Sequence, residues 1–267
     1  MNINLTIKKK LLKHNIIIEK STNIKDVKNF IKRFKNNYKS VDLQRIGSNK
    51  DGGYLVPNIL KDVKYCFSPG VDDKVSFEKF LIDKYGIICF LADANIKKNP
   101  LKNNKSFFDK KFLGNINDKN YMTLDTWINN KIKKNKNNLL LQMDIEGGEY
   151  DVLIRESSET LKRFNCMVIE FHFFDKIFNP MFYKMINSIF EKIYDNFNIV
   201  HVHPNNTCRN IENENIKIPS IIEVTFLRKD KIKILKNNKK IILPHTLDIK
   251  NDEFLKDVVM PKIWWKK

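Results

Sequence analysis

Leu139-Leu-Leu-Gln-Met-Asp-Ile-Glu-Gly-Gly-Glu-Tyr150 decides how this chain folds. An apolar run stops at three carboxylates and two adjacent glycines, then resumes at Tyr150, Val152, Leu153 and Ile154. A continuous apolar run of this length reads as a parallel strand buried on both faces, and open α/β sheets bind ligands beyond the carboxyl ends of such strands. The chain has only eight glycines, and two stand side by side here. Beside an acid, that pair predicts close backbone approach to a ligand.

The pattern repeats outward. Val63–Phe67 reads as a strand ending at Ser68-Pro-Gly70, followed by a helix over Ser76–Tyr85 that Gly86 closes. Ile87–Leu91 is a second strand, ending at Asp93, and a disordered-looking Lys/Asn segment follows. Thr123–Ile128 opens a helix; Leu139–Met143 is a strand, Tyr150–Phe164 a helix, Cys166–Phe171 a strand, Met181–Phe197 a helix and Ile199–His203 a strand. Ile221–Arg228 is a last strand, expected antiparallel at the sheet edge. Alternation of this kind predicts an α/β fold with a mostly parallel doubly wound sheet. We expect an N-terminal helical region over 1–40, the α/β domain over 41–230, and an irregular tail over 231–267 packed back through Ile263, Trp264 and Trp265.

The 267 residues are 42% hydrophobic and 30% charged, enough apolar content for a real core. No apolar run is long enough to span a bilayer and no apolar signal core follows the N-terminus, so the expectation is a cytoplasmic protein without membrane insertion. Cys66, Cys89, Cys166 and Cys208 form no Cys-x-x-Cys pair, which argues against zinc ribbons and disulfide frameworks. The net charge of +18 would suit nucleic acid, a membrane surface or an anionic substrate. The lysines, however, travel with asparagine and isoleucine, residues that share A/T-rich codons, and no aromatic-interleaved basic motif is present. No stable nucleic-acid partner is expected; a homo-oligomer is compatible with the sequence.

Four constellations carry chemistry. Ser68, Gly70 and Asp72 at the first strand-to-helix turn, with Asp93 closing the next strand, follow the logic of nucleoside binding: glycine admits the ligand to the backbone and the acid accepts from ribose hydroxyls. The full Gly-x-Gly-x-x-Gly fingerprint of dinucleotide sites is absent. Asp144 stands directly on its strand end, whereas Glu149 and Asp151 read as acids at a helix start, and Glu146 is open to either reading. Glu170 and His172, two apart on one strand, share a face. With Asp144 they can flank a reacting hydroxyl or hold a divalent cation. His201, His203, Asn205 and Asn206, with Glu223 on the following strand, read either as substrate contacts or as a structural strand and turn.

These blocks resemble the FkbM-type methyltransferases that use S-adenosyl-L-methionine. The matching pieces are Asp144–Leu153, Thr123–Trp127 and Val168–His172, with Arg45–Pro57, Gly70–Glu78 and His201–Asn206 similar to one branch of that group. The resemblance implies a seven-stranded Rossmann-like methyltransferase fold and, often, O-methylation of sugars or natural products. Gly70 and its neighbours would approach the methionine part of the cofactor, Asp93 the ribose, and Asp144 the transferring methyl. Ala94-Asn95 after Asp93 and Gly148 depart from the commoner pattern.

The expectation is therefore an O-methyltransferase acting on a hydroxyl of a sugar or glycan, nucleotide-activated or part of a surface polysaccharide. His172 is the leading base beside Asp144 and Glu170. A Mg²⁺- or Mn²⁺-assisted version would use Asp144, Glu170 and His172 as ligands. The competing readings are an RNA methyltransferase and a non-catalytic nucleotide- or carbohydrate-binding module.

Overall fold

A computed structural model describes residues 5–133, 137–237 and 239–266. Residues 1–4 of the expected N-terminal region and 238 and 267 of the expected tail lie outside the described residues. The first helix, α1 (Leu5–Leu12), buries none of its side chains. The second, α2 (Ile24–Asn36), starts where the Asn23 side chain accepts from the Lys25 backbone N–H. It buries Val27, Phe30, Ile31 and Phe34, the i, i+3, i+4, i+7 stripe of a helix with one apolar face.

A hairpin of β1 (Leu43–Gly47) and β2 (Gly53–Pro57) precedes the main sheet. Then come β3 (Tyr65–Pro69), α3 (Ser76–Tyr85), β4 (Ile88–Ala92) and β5 (Ser106–Asp109). Gly86 ends α3 at φ 67°, a left-handed cap that glycine adopts at least cost. A small parallel pair, β6 (Phe112–Leu113) and β7 (Tyr121–Met122), leads into α4 (Leu124–Lys131) and β8 (Leu139–Met143). Next are α5 (Glu149–Arg155), α6 (Ser158–Leu161) and β9 (Phe164–Phe171). The long α7 (Pro180–Asn196) begins at an Asn179 cap with proline in the first turn, a position that needs no N–H donor. Finally β10 (Phe197–Pro204), the hairpin β11 (Asn210–Asn213) and β12 (Ile216–Pro219), β13 (Ile222–Arg228) and α8 (Lys229–Leu235) complete the elements used below.

The main sheet has seven strands in the order β10-β13-β9-β8-β3-β4-β5. It is parallel except for β13, which runs antiparallel to both β10 and β9. The winding of the sheet reverses between β3 and β8, and the crevice beyond their carboxyl ends is where an open α/β sheet binds its ligand. This is the Rossmann-like methyltransferase architecture expected from the sequence.

Three local readings change. The last strand is antiparallel as expected but lies inside the sheet, with β10 as the edge. The Lys/Asn segment after Asp93 is ordered into edge strand β5: Asn99 hydrogen-bonds both the backbone and hydroxyl oxygens of Ser106, supplying polar contacts that replace an apolar signal. The helix read over Tyr150–Phe164 is broken in two, because the Ser157 hydroxyl accepts from the Thr160 N–H and caps a new start.

One aromatic cluster ties the termini of the fold together. Trp264 is fully buried, with ring centroids 5.1 Å from Phe34, 5.7 Å from Phe174 and 6.2 Å from Phe30. Its indole N–H donates to the Lys217 carbonyl at 3.3 Å, which answers the polar atom that burial would otherwise strand. Trp265 is likewise buried, while Ile263 remains exposed. No helix among the described residues is long and apolar enough to cross a membrane. Replacing Trp264 removes the contacts that α2 and the tail share. Trp264→Ala is expected to cost about 3–5 kcal/mol, read as a lower urea midpoint at unchanged m-value.

Candidate active site

Gly70 sits at φ 80°, where a side chain is disfavoured, and an added Cβ would overlap the Asp144 carbonyl oxygen. The Gly70 N–H donates to the Ala92 carbonyl at 2.9 Å and the Asp144 N–H to the Pro69 carbonyl at 3.4 Å. The ends of β3, β4 and β8 are thereby pinned together without side chains between them, leaving a cavity of about 680 Å³. Gly70, Asp72, Asp93 and Asp144 all line it. That volume falls inside the ~300–1,000 Å³ typical of small-molecule sites.

Asp93 is buried, its oxygens facing the backbone N–H groups of Asp72 (3.3 Å) and Asn95 (2.7 Å). Those two contacts fix the carboxylate at the cavity wall. Ser68 does not line the cavity. Its hydroxyl lies fully buried beneath the floor, bonded to Glu78 of α3 and facing Gln142 Oε1 at 2.5 Å. Gln142 Nε2 donates to Tyr54 Oη at 3.3 Å, and Tyr54 donates to Asp144 Oδ2 at 3.4 Å. A buried polar file thus runs along the cavity wall from Gln142 through Tyr54 to Asp144, with Ser68 and Glu78 beside Gln142.

Asp144 also lines a second cavity of about 520 Å³, together with Asp51, Lys74 and Glu146, which the two cavities share. Glu170, His172, Asn205, Thr207, Asn251 and Asp252 are on its wall. Burial pushes Asp144 up to about 7; Glu146, Glu149 and Asp51 add to that rise, and His172 pulls the other way. A carboxyl of this kind sits near its midpoint at neutral pH and can exchange a proton there.

His172 is held by Glu149. Glu149 does begin α5, as the sequence suggested, but its side chain is fully buried. Its Oε1 accepts from the Ile145 N–H (3.0 Å) and Gly147 N–H (3.2 Å), and lies 3.2 Å from His172 Nδ1. With a proton on Nδ1, Nε2 is left as the free ring nitrogen, 3.3 Å from Glu146 Oε2 and 3.9 Å from Asp144 Oδ1. The turn that delivers Glu149 is tight: Gly147 sits at φ 104° and Glu146 at φ 55°. Burial disfavours a charged His172, but the Glu149 hydrogen bond and the charges of Glu149, Asp144 and Glu146 outweigh it and raise the imidazole above its ordinary value.

Glu170 lines the second cavity with Asp144 and His172, as expected. It pairs across the sheet with Glu223, and Asn205 Nδ2 donates to its Oε1 at 2.9 Å. Burial, with Asp144 and Glu223 nearby, raises Glu170 well above the carboxylate range, and burial carries Glu223 up to about 8. Among the described residues, the three groups able to converge on one ion are Asp144, Glu149 and His172, within 4.8 Å of one another. Of the ligand set expected from the sequence, Asp144 and His172 belong to this group and Glu170 does not; its third member is Glu149.

The other four expected contacts divide. Asn205 lines the second cavity. Asn206 instead clasps the C-terminal tail, donating to the Asp252 carbonyl (2.8 Å) and accepting from its N–H (2.9 Å). His201 Nε2 lies 2.9 Å from Asp248 Oδ1 and His203 Nε2 3.9 Å from Asp257 Oδ1, both partners in that tail. His201, His203 and Asn206 are therefore buried against the tail and line neither of these two cavities.

Sequence reasoning missed Tyr54, Glu78 and the part Glu149 plays. Gln142 carried a usable signal: one amide inside Leu139–Met143 has to find a buried partner. Glu149→Gln is expected to lower the His172 pKa, followed by NMR titration of its ring protons. In the wild type the folded value lies above the unfolded 6.5, so the stability gained from this pair is complete below pH 6.5 and lost as pH rises through the folded value.

Residues 6–195 match the family model of the methyltransferase FkbM domain. No curated protein sequence matches. Among solved structures, a chain of a fibrillarin/Nop5p complex aligns at 10% identity and TM-score 0.38, covering 72% of this chain and 98% of that one. A point mutant of a 16S rRNA (adenine(1408)-N(1))-methyltransferase from Catenulisporales acidiphilia aligns at 8% identity and TM-score 0.31, covering 71% and 97%. Neither similarity is close enough to bear on activity. The family match spans most of the chain and includes both strand ends that meet at Gly70 and Asp144: the protein belongs to the FkbM methyltransferase family.

Proposed function

We propose that the chain transfers a methyl group from S-adenosyl-L-methionine to a hydroxyl of a sugar or glycan. The observation that carries this reading is the shared wall: Asp144 borders both cavities, and His172 lines the second. The larger cavity fits the cofactor. Gly52, Gly70, Gly114 and Gly148 line it without side chains, Asp93 offers a fixed acceptor for ribose hydroxyls, and Glu78 and Asp144 each keep one buried oxygen without a partner. When bound, the cofactor supplies an electrophilic methyl group on a sulfonium.

The residues of the chain then have to orient an acceptor oxygen in line with that methyl and take its proton. His172 Nε2, oriented by Glu149, is the proposed base, and Asp144 beside it is the proposed orienting group for the acceptor. Glu149 Oε1, shared between two backbone N–H groups and His172 Nδ1, supports proton transfer by fixing the ring, while Glu149 Oε2 and Asp144 Oδ1 stay unpartnered and are the oxygens a metal-assisted version would use.

The polarity of the second cavity supports a neutral polyhydroxyl acceptor. Its two lysines are committed, Lys50 to Glu253 at 2.7 Å and Lys74 to Asp51 at 2.8 Å. Asp144, Glu146, Glu170 and Asp252 remain on its wall with Asn205, Thr207 and Asn251. Such a surface offers many partners to hydroxyls and, among the described residues and with both lysines paired, no uncommitted lysine or arginine to a phosphate, which weighs against RNA and against an anionic polysaccharide despite the net charge of +18.

The test is incubation with methyl-tritiated S-adenosylmethionine and fractionated cell extract. Label is expected in the carbohydrate fraction as a base-stable methyl ether; label in RNA or protein would sink the glycan reading. With a labelled acceptor in hand, His172→Ala is expected to lower kcat by about 10²–10⁴. Wild-type turnover in that variant removes His172 as the base. Activity is expected to survive prolonged dialysis against EDTA; loss restored by Mg²⁺ or Mn²⁺ would return the metal version.

A further inference from the structure

The C-terminal tail carries a ring that the fold does not use. Phe254 lines the second cavity and is 88% exposed, the most exposed large apolar side chain among the described residues. A phenyl ring left in water forgoes the stabilisation of burial. The backbone beneath it is nevertheless fastened. The Phe254 N–H donates to Asp252 Oδ1 at 2.7 Å, and Asn206 grips Asp252 through both its N–H and its carbonyl. Lys250 Nζ donates to the carbonyls of Glu253 and Leu255, each at 3.1 Å, so the chain is tied on both sides of the ring. Glu253 also pairs with Lys50, in the turn between β1 and β2, at 2.7 Å. The loop thus holds an aromatic side chain out at a set place.

The surroundings of the ring indicate what it meets. Among the described residues, Phe254 and Ile221 are the two apolar side chains on a wall that is otherwise polar or charged. Asn251, on the same loop, has its amide fixed: Nδ2 donates to Glu223 at 2.9 Å and to Asp51 at 3.3 Å. Its Oδ1 is buried and has no hydrogen-bond partner, an arrangement that a ligand hydroxyl would relieve. A pyranose ring matches this mixture. Its C–H faces pack on the electron-rich face of an aromatic ring, and its hydroxyl edge bonds to amides and carboxylates. A nucleobase also stacks on phenylalanine, but it arrives with phosphate, and both lysines of this cavity are committed. The loop lies beyond residues 6–195, which the family model matches, so it belongs to the tail of this chain.

We propose that Phe254 is a specificity-determining residue for the acceptor, stacking on the C–H face of one of its pyranose units. The proposal rests on the glycan reading of the second cavity and deepens it: the preferred acceptor is a sugar with an unsubstituted C–H face to lay on the ring.

The test compares wild type with Phe254→Ala, Phe254→Leu and Phe254→Tyr. The probe is the carbohydrate fraction of a cell extract, methylated with methyl-tritiated S-adenosylmethionine. In Phe254→Ala the half-saturating amount of that fraction, measured as total hexose, is expected to rise about 3- to 10-fold, the size of one aromatic contact. The rate at saturation is expected to change less than the half-saturating amount does. Phe254→Leu keeps apolar surface without an aromatic face and is expected to fall nearly as far as alanine. Phe254→Tyr keeps the face and is expected to stay close to wild type. Affinity for S-adenosylhomocysteine, read by calorimetry, is expected to hold in all three variants, because Phe254 is exposed and does not line the larger cavity. A half-saturating amount unchanged in Phe254→Ala overturns the proposal. So does a leucine variant that behaves as wild type, or a tyrosine variant as weak as alanine. Label confined to RNA or protein overturns the glycan reading itself, a result distinct from carbohydrate labelling that ignores Phe254.

Discussion

Everything at this site hangs on one close approach: the backbone of Gly70 against the carbonyl of Asp144, with no space for a side chain between them. Two adjacent parallel strands end there, and their loops would otherwise splay to clear each other. The hydrogen bonds from Gly70 to Ala92 and from Asp144 to Pro69 lock β3, β4 and β8 at a common level. With the level fixed, Asp93 and Asp144 become two walls of one cavity, and the turn after Asp144 is free to fold back and present Glu149 to His172.

Much of this was legible in the sequence, for physical reasons. Parallel strands buried on both faces write themselves as apolar runs, so β3, β4, β8 and β9 were readable, and their carboxyl ends named Gly70, Asp93, Asp144 and His172. What escaped was of two kinds. Strand β5 is short and partly exposed at the sheet edge, held by side-chain bonds from Asn99, and so carries no apolar period. Glu149 and Glu78 look like ordinary helix acids in sequence, because a helix start favours an acid whether or not the rest of the fold covers it. Only tertiary packing makes Glu149 a buried partner of His172.

The roles of the histidines follow the same division. His172 is two residues from Glu170 and both face the second cavity, as strand alternation requires. His201 and His203 alternate just as well, but the face they share is covered by the tail, where Asp248 and Asp257 meet them. Alternation gives the face of a strand; it says nothing of what covers that face. The excess of positive charge likewise lies largely elsewhere, since the second cavity is walled mainly by acids.

The tail has one further consequence. Asn251, Asp252, Glu253 and Phe254 wall the second cavity, and Asn206 and Glu223 hold Asp252 and Asn251 in place. The larger cavity draws on none of these four residues. The second cavity thus takes one wall from the tail, which also touches the shared wall where Asn251 donates to Asp51. Drift in the last stretch can reshape the outer wall of the second cavity while most of the larger one, drawn from other elements, keeps its lining.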